Sequence, residues 1–303
     1  MDSTSDHSEV PARPAPHAVL ATVRSVQPNL RPAERRIAKD LLADPEAFAR
    51  SSINETAARA STSTTTVVRF YKRIGYDRFK DLRHDLTQES AREQMTVSEF
   101  PAEASDIDRG DNLAQVVAKV ARDETLSISD TARVLQPAEL AHAVELAASA
   151  ERLDIFGVGA SSIVSRDLQR KISRIGRTAI DWPEAHTAWT AAAVLGEGSV
   201  AIAISHSGVT SDTVEFLRLA RASGAATIAI TNVEDSPLAR ESDVVLRTAA
   251  RETDFRSGAL GSRIAQLMVV DCLFIGIVQA HYDTSVEALR TTYEAVQSRA
   301  SRP

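Results

Sequence analysis

The run SVAIAISHSGVTSDTVEFLRLARASG, Ser199 to Gly224, decides how the chain folds. Val200 to Ile204 are apolar or small and suit a buried strand. A loop of serines, a histidine and a glycine follows. From Thr210 the pattern turns into an amphipathic helix that stops at Gly224. A strand that feeds a helix through a short loop is half of a βαβ unit. The same alternation surrounds it: LDIFGVG before the helical SSIVSRDLQRKISRIG, then TAID, an Ala-rich helix, and later ATIAITN and SDVVL. The runs are short and often β-branched. The pattern predicts an α/β fold from about Leu113 onward, a doubly wound, mainly parallel sheet with helices on both faces. Ligands of such sheets sit at the C-terminal ends of the strands.

Two loops at those ends carry small hydroxyls. Ser161 follows the first strand; Ser205, Ser207 and Thr210 follow the third. Each loop opens a helix, whose unpaired N–H groups and dipole favour an anion. Hydroxyls add neutral donors with little bulk, and Gly208 lets the backbone close around a phosphate. The alternative for Ser205 and Ser207 is a simple helix cap. His206 either touches the ligand or fills the loop. No GxxxxGK[ST] pattern is present, which argues against nucleotide hydrolysis. In FGVGASS only Gly157 and Gly159 fit a dinucleotide fingerprint, with Asp181 near the distance of its acidic partner, so a nicotinamide site is the weaker reading. No cofactor or metal site is expected.

Residues from about Leu20 to Ser90 read as all-helical. Ser52 and Glu55 have the spacing of a capping box. After the short turn ASTS, Ser63 is placed to cap the helix of TTTVVRFYKRIG, which ends at Gly75. In that helix Val67, Phe70 and Ile74 share one face, and Thr65, Arg69 and Lys72 another. Between Arg59 and Arg83 seven basic residues face two acidic ones, a local +5 that leaves −11 for the rest of a chain of net charge −6. A basic patch on an acidic protein is a local footprint for a polyanion.

The segment SINETAARASTSTTTVVRFYKRIGYDRFKDLRHDL resembles the N-terminal helix-turn-helix of the RpiR family of bacterial regulators, over about Arg31 to Leu86. The likeness rests on the Ser-Ile helix start, the alanines before the turn, Ser63, Thr66, Val67, Arg69, Phe70, Lys72, Ile74-Gly75, Tyr76 and Phe79. Ser61 departs from the glycine usual in the family's turn; a serine at positive φ there costs about 1 kcal/mol. The resemblance implies that Ser63, Thr65, Thr66, Arg69 and Lys72 contact DNA. For Thr66 the competing role is packing or capping, and for Arg69 and Lys72 a solvated face. From about Leu113 to Thr291 the chain resembles the sugar isomerase (SIS) domain, with FGVGAS as its first loop and SHSGVTSDTVEF as its Ser-x-Ser-Gly-x-Thr loop. That implies a sugar phosphate held by Ser161, Ser205, His206, Ser207, Gly208 and Thr210, with Glu252 a nearby carboxylate.

SIS domains occur in isomerases and in regulators. An aldose–ketose isomerase needs a general base beside C1 and C2 of the sugar. By spacing, Ser262 falls where amidotransferase-type isomerases carry a glutamate, and His186 and His281 are spare histidines. A DNA reader joined to a sugar-phosphate binder makes sense as a metabolite sensor without catalytic residues. The alternative is an isomerase with a helical N-terminal extension. The expected division is a disordered tail at 1–18, a helix-turn-helix domain at 19–88, a linker at 89–112 and the SIS domain at 113–303.

Composition fits a two-domain globular protein of 303 residues, 43% hydrophobic and 25% charged. The start, MDSTSDHSEVPARPAPH, lacks the apolar core of a signal peptide. IAQLMVVDCLFIGIVQA, Ile264 to Ala280, is apolar but short for a bilayer crossing and is interrupted by Gln266, Asp271 and Gln279; it reads as a core or interface helix. The lone Cys272 permits no intrachain disulfide. The expectation is a cytoplasmic homodimer or homotetramer that binds operator DNA and a phosphorylated sugar and touches no membrane.

Overall fold

The computed structural model describes residues 18–99, 108–251 and 259–300. Most of the expected N-terminal tail, residues 1–17, lies outside them. The chain divides into two compact units at Arg122–Asp123.

The first unit is helical: α1 (Val19–Val26), α2 (Pro32–Ala43), α3 (Pro45–Arg50), α4 (Ile53–Arg59), α5 (Thr64–Arg73) and α6 (Phe79–Glu99). Its core gathers Leu20, Ile37, Leu41, Phe48, Val67, Phe70, Ile74 and Leu82, all buried. The stretch RPAERRIAKDLLADPEAFAR breaks into two helices at Asp44. The Asp44 side chain accepts from the Ala47 N–H at 2.8 Å and caps α3, while Pro45 takes the first helical position, where no N–H is needed. Two expected boundaries move. Ala18, assigned to the tail, is buried at the start of α1. Residue 89 does not begin a linker: α6 continues through it, and the buried Glu89 carboxylate accepts from the Leu20 N–H at 3.2 Å. The helix α7 (Leu113–Val134) follows, its start tied by a buried ion pair between Lys119 and Asp111 at 2.8 Å.

The second unit holds α8 (Pro137–Ser149), β1 (Arg152–Gly157), α9 (Ala160–Arg174), β2 (Ala179–Asp181), α10 (Ala185–Ala192), β3 (Ser199–Ile204), α11 (Ser211–Ala222), β4 (Ala226–Thr231), α12 (Pro237–Arg240), β5 (Val244–Arg247), α13 (Leu260–Ala280) and α14 (Tyr282–Ala300). All four strand pairings are parallel, in the order β2-β1-β3-β4-β5. The five strand-like runs in the sequence are these five strands. Side-chain alternation divides the sheet into two faces. Val200, Ile202 and Ile204 of β3 join a core with α8, α9 and α13. Ala201 and Ala203 face α10, α11 and α12, where small strand residues let Phe216 and Leu217 approach closely. The fold is therefore doubly wound, as the alternation predicts.

The helix α13 is long and apolar enough to cross a membrane by composition alone, but half of that stretch is buried inside the unit. Ala265, Val269, Leu273 and Ile277 supply its inner face.

Candidate functional site

In the order 2-1-3-4-5, β1 connects outward to β2 and β3 connects the other way to β4. Their C-terminal ends diverge, and the crevice between them is the topological switch point where ligands of open α/β sheets bind. A cleft of about 200 Å³ lies there. The loop after β1 contributes Val158, Ala160 and Ser161. The loop after β3 contributes Ser205, His206, Ser207 and Thr210. Ala259 and Ser262, at the start of α13, close the third side. Two segments 40 to 50 residues apart thus bring their hydroxyls to one place. Among the described residues, none of the lining side chains is a carboxylate, a lysine or an arginine.

The loop after β3 is tightly built. The Ser205 N–H donates to Ile230 O at 3.0 Å, extending the β3–β4 ladder by one bond. The Ser205 hydroxyl, 4% exposed, accepts from the Gly208 N–H at 3.2 Å and lies 3.2 Å from the Thr210 hydroxyl. The His206 carbonyl accepts from the Asn232 N–H at 3.0 Å, which pins the loop to the end of β4. Gly208 has φ +64°, and a Cβ there would fall 2.2 Å from Ser236 Oγ. Only glycine fits on both counts. The Ser207 hydroxyl is half-buried and accepts only a long 3.4 Å bond from the Val209 N–H. Neither serine caps α11. Its N-cap residue is Thr210, whose side chain makes no cap hydrogen bond.

The loop after β1 is glycine-dependent too. A Cβ on Gly157 would lie 2.8 Å from Ser161 O, so the chain turns back on itself at its first glycine. Ser161 is buried and donates to Gln266 Oε1 of α13 at 3.3 Å. The sequence reading takes Gln266 only as a polar interruption of an apolar run, not as a residue of the cleft. Its signal is there: Ser262 and Gln266 are one helical turn apart on α13, on the face turned toward the loops.

Other candidates fall elsewhere. Glu252 lies outside the described residues. His186 stacks edge-on against Trp189 at 5.4 Å, and His281 Nε2 lies 3.1 Å from Ala148 O; neither lines the cleft. Asp181, the possible ribose partner, accepts from Ser165 at 2.5 Å and from Arg166 at 3.4 Å. Ser262 does line the cleft, and its hydroxyl donates to Ala259 O at 3.3 Å.

In the helical unit α4 and α5 form the two helices of the turn motif. Ser52 and Glu55 make the capping box, at 2.6 and 3.3 Å. Ser61 takes φ +48°, the left-handed conformation that the turn requires. Arg36, another residue missed in the sequence, holds the turn from α2: its Nε donates to Ala60 O and its Nη2 to Ser61 O, both at 2.9 Å. Ser63 caps α5 by accepting from the Thr66 N–H at 3.2 Å, and its hydroxyl lies 3.0 Å from Thr66 Oγ1. Both hydroxyls therefore have local work. Val67, Phe70 and Ile74 are buried, while Thr65, Arg69 and Lys72 are exposed on the far side. Arg59, Arg73 and Arg78 of the basic cluster pair with Asp40, Glu34 and Asp81. Arg83 donates to the carbonyls of Ala49 and Arg50. Arg69 and Lys72 have no ion-pair partner among the described residues.

Comparison with known proteins places both units. A helix-turn-helix domain of the rpiR family matches residues 17–93, and a SIS domain matches residues 146–276. An uncharacterized HTH-type transcriptional regulator of Caldanaerobacter subterraneus is 35% identical over 281 residues, 93% of this chain and 98% of that protein. YbbH of Bacillus subtilis, another uncharacterized HTH-type transcriptional regulator, is 32% identical over 92% of this chain and 97% of its own length. Among solved structures, the Vibrio vulnificus NanR protein complexed with ManNAc-6P is similar at 28% identity and a TM-score of 0.59, covering 94% of this chain and 100% of that one.

Proposed function

The chain belongs to the family of HTH-type transcriptional regulators that join an rpiR-family helix-turn-helix to a SIS domain, and from that premise we propose that it senses a phosphorylated sugar in the cleft between β1 and β3 and thereby controls sugar-metabolism genes. The observation that carries this reading is the cleft itself. Hydroxyls from two distant loops converge at a helix start, beside a glycine that no other residue could replace. In this reading Ser161, Ser205, Ser207 and Thr210 hold the phosphate with His206 and Gly208. In the other unit Thr65, Arg69 and Lys72 face the DNA; Ser63 and Thr66 set the start of the helix that carries them and reach phosphate from there.

The same cleft bears on the enzyme question. By spacing, Ser262 matches the position of the glutamate in amidotransferase-type SIS isomerases, and a serine hydroxyl is not the carboxylate base that reaction uses. The protein is a sensor, not an isomerase. A single helix-turn-helix makes few contacts, so the working form is a homodimer or homotetramer on an inverted repeat, in the cytoplasm. Ile275 on α13 is half exposed and supports an interface along that helix.

The ligand acts only if it binds one arrangement of the DNA readers better than another. The test is fluorescence anisotropy on duplex DNA from upstream of the protein's own gene, with a panel of sugar phosphates. ManNAc-6P comes first, because the NanR structure holds it. One phosphorylated sugar should shift the DNA affinity about fivefold or more, and its unphosphorylated form should not. Turnover of a sugar phosphate by a protein that binds no DNA would overturn the reading in favour of an isomerase.

A further inference from the structure

Ser161 lines the cleft, and its side-chain partner comes from behind the cleft rather than from its own loop. That partner, Gln266, is 1% exposed. Its Oε1 lies 3.3 Å from Ser161 Oγ, and its Nε2 is buried with no hydrogen-bond partner. In this arrangement the pair is doubly wasteful. Ser161 spends its one proton on the carbonyl, and a buried N–H₂ donates to nothing. An orphaned buried donor is rare. The two ends of a carboxamide exchange places by a half-turn about the last side-chain bond, and only the hydrogen-bond network decides between them. After the half-turn Nε2 donates to Ser161 Oγ. The Ser161 proton is then free, and it can point into the cleft.

We infer that Gln266 is a positioning residue for the anion site: with phosphate in the cleft its amide donates to Ser161 Oγ, and Ser161 donates to the phosphate. The inference rests on the phosphate reading of the cleft. It assigns a direction to a chain of two hydrogen bonds, amide to hydroxyl to anion, each polarising the next.

The experiment is a ³¹P NMR titration of the full-length protein with inorganic phosphate as the probe. It compares wild type with Gln266→Met, Ser161→Ala, the double variant and Ser207→Ala. Methionine keeps the volume of glutamine and removes both polar ends. Gln266→Leu serves as the second variant if the first melts more than a few degrees lower. Gln266→Met should weaken phosphate about three- to tenfold, the worth of one hydrogen bond. In the Ser161→Ala background the same change should alter affinity less than twofold, because Gln266 has nothing left to orient. A purely structural role would weaken binding equally in both backgrounds, and that result overturns the inference. So does wild-type affinity in Gln266→Met beside a large loss in Ser207→Ala, which would leave the phosphate reading intact. If Ser207→Ala and Ser161→Ala both bind like wild type, the phosphate reading fails and the inference falls with it.

Discussion

Gly208 and Ser236 are in contact so close that a single added carbon has no room: a Cβ on Gly208 would lie 2.2 Å from Ser236 Oγ and 2.4 Å from Ser236 Cβ. Ser236 cannot easily retreat, since its hydroxyl accepts from the Ala239 N–H at 3.2 Å and caps α12. The loop that forms the cleft is therefore wedged between the end of β3 and the cap of a neighbouring helix.

Gly208→Ala should destabilise the second unit by about 1–3 kcal/mol from the overlap, with about 1 kcal/mol more from the positive φ. Urea unfolding of the two proteins measures it. The loop after β3 should also be displaced, so on the proposed reading of the cleft ligand affinity should fall further than stability alone explains. A Gly208→Ala protein as stable as wild type would mean that the loop does not pack as described.

The DNA prediction concerns Arg69 and Lys72, the exposed cations of α5 without ion pairs among the described residues. Arg69→Ala and Lys72→Ala should each weaken DNA binding across sequences and reduce the slope of log affinity against log salt by about one unit. Arg78→Ala is the internal control. Its guanidinium is engaged by Asp81 at 2.8 Å, so its loss should change the slope less. Equal effects from all three would show that the cluster acts as a diffuse charge and that α5 has no special place.

The capping box of α4 makes a pH prediction. The Ser52 N–H donates to Glu55 Oε2 at 2.6 Å, and the Ser52 hydroxyl also contributes; these bonds hold the Glu55 carboxyl below its ordinary range. A lowered carboxylate pKa gives stability that is fully present above the unfolded value, about 4.3. That stability is lost as pH falls through the lower folded value. Glu55→Ala should therefore melt below wild type at pH 6, and the gap should close as pH drops under about 4. A gap that stays constant to pH 3 would mean that the carboxylate is not what stabilises this helix start.

Much of this was legible in the sequence because it rests on local patterns. Strand-like runs such as SVAIAIS carry their own signal, and a parallel sheet follows from their alternation with helices. Ser63 and Glu55 could be placed because caps act over three residues. Ser61 was identified as the awkward residue of the turn, and it does take φ +48°. What could not be read is long-range. Nothing near Arg36 says that it reaches Ala60 and Ser61 from another helix. Nothing near Gln266 says that it meets Ser161, 105 positions away. The continuation of α6 through Glu89 is not legible for the same reason: Glu89 is an acidic residue in a polar stretch, and its burial depends on α1.

The sharpest test of the cleft is Ser207→Ala. Ser205 is the poorer choice, because its hydroxyl holds the Gly208 N–H and sits beside Thr210, so its removal disturbs the loop itself. Ser207 is half-buried, and its hydroxyl makes only the long contact with the Val209 N–H. Alanine should therefore fold nearly as well, with stability changed by less than about 1 kcal/mol. If Ser207 donates to a phosphate, its loss removes one charge-assisted hydrogen bond, about 1.5–3 kcal/mol, or roughly tenfold to a hundredfold in affinity. DNA binding without ligand should be unchanged, since the DNA reader lies in the other unit. What should vanish is the effect of the sugar phosphate on that binding at ligand concentrations that saturate wild type. Calorimetry with the sugar phosphate and its unphosphorylated sugar completes the test. Wild type should strongly prefer the phosphorylated form, and Ser207→Ala should lose much of that preference. Equal affinity of wild type for both would sink the phosphate reading of the cleft.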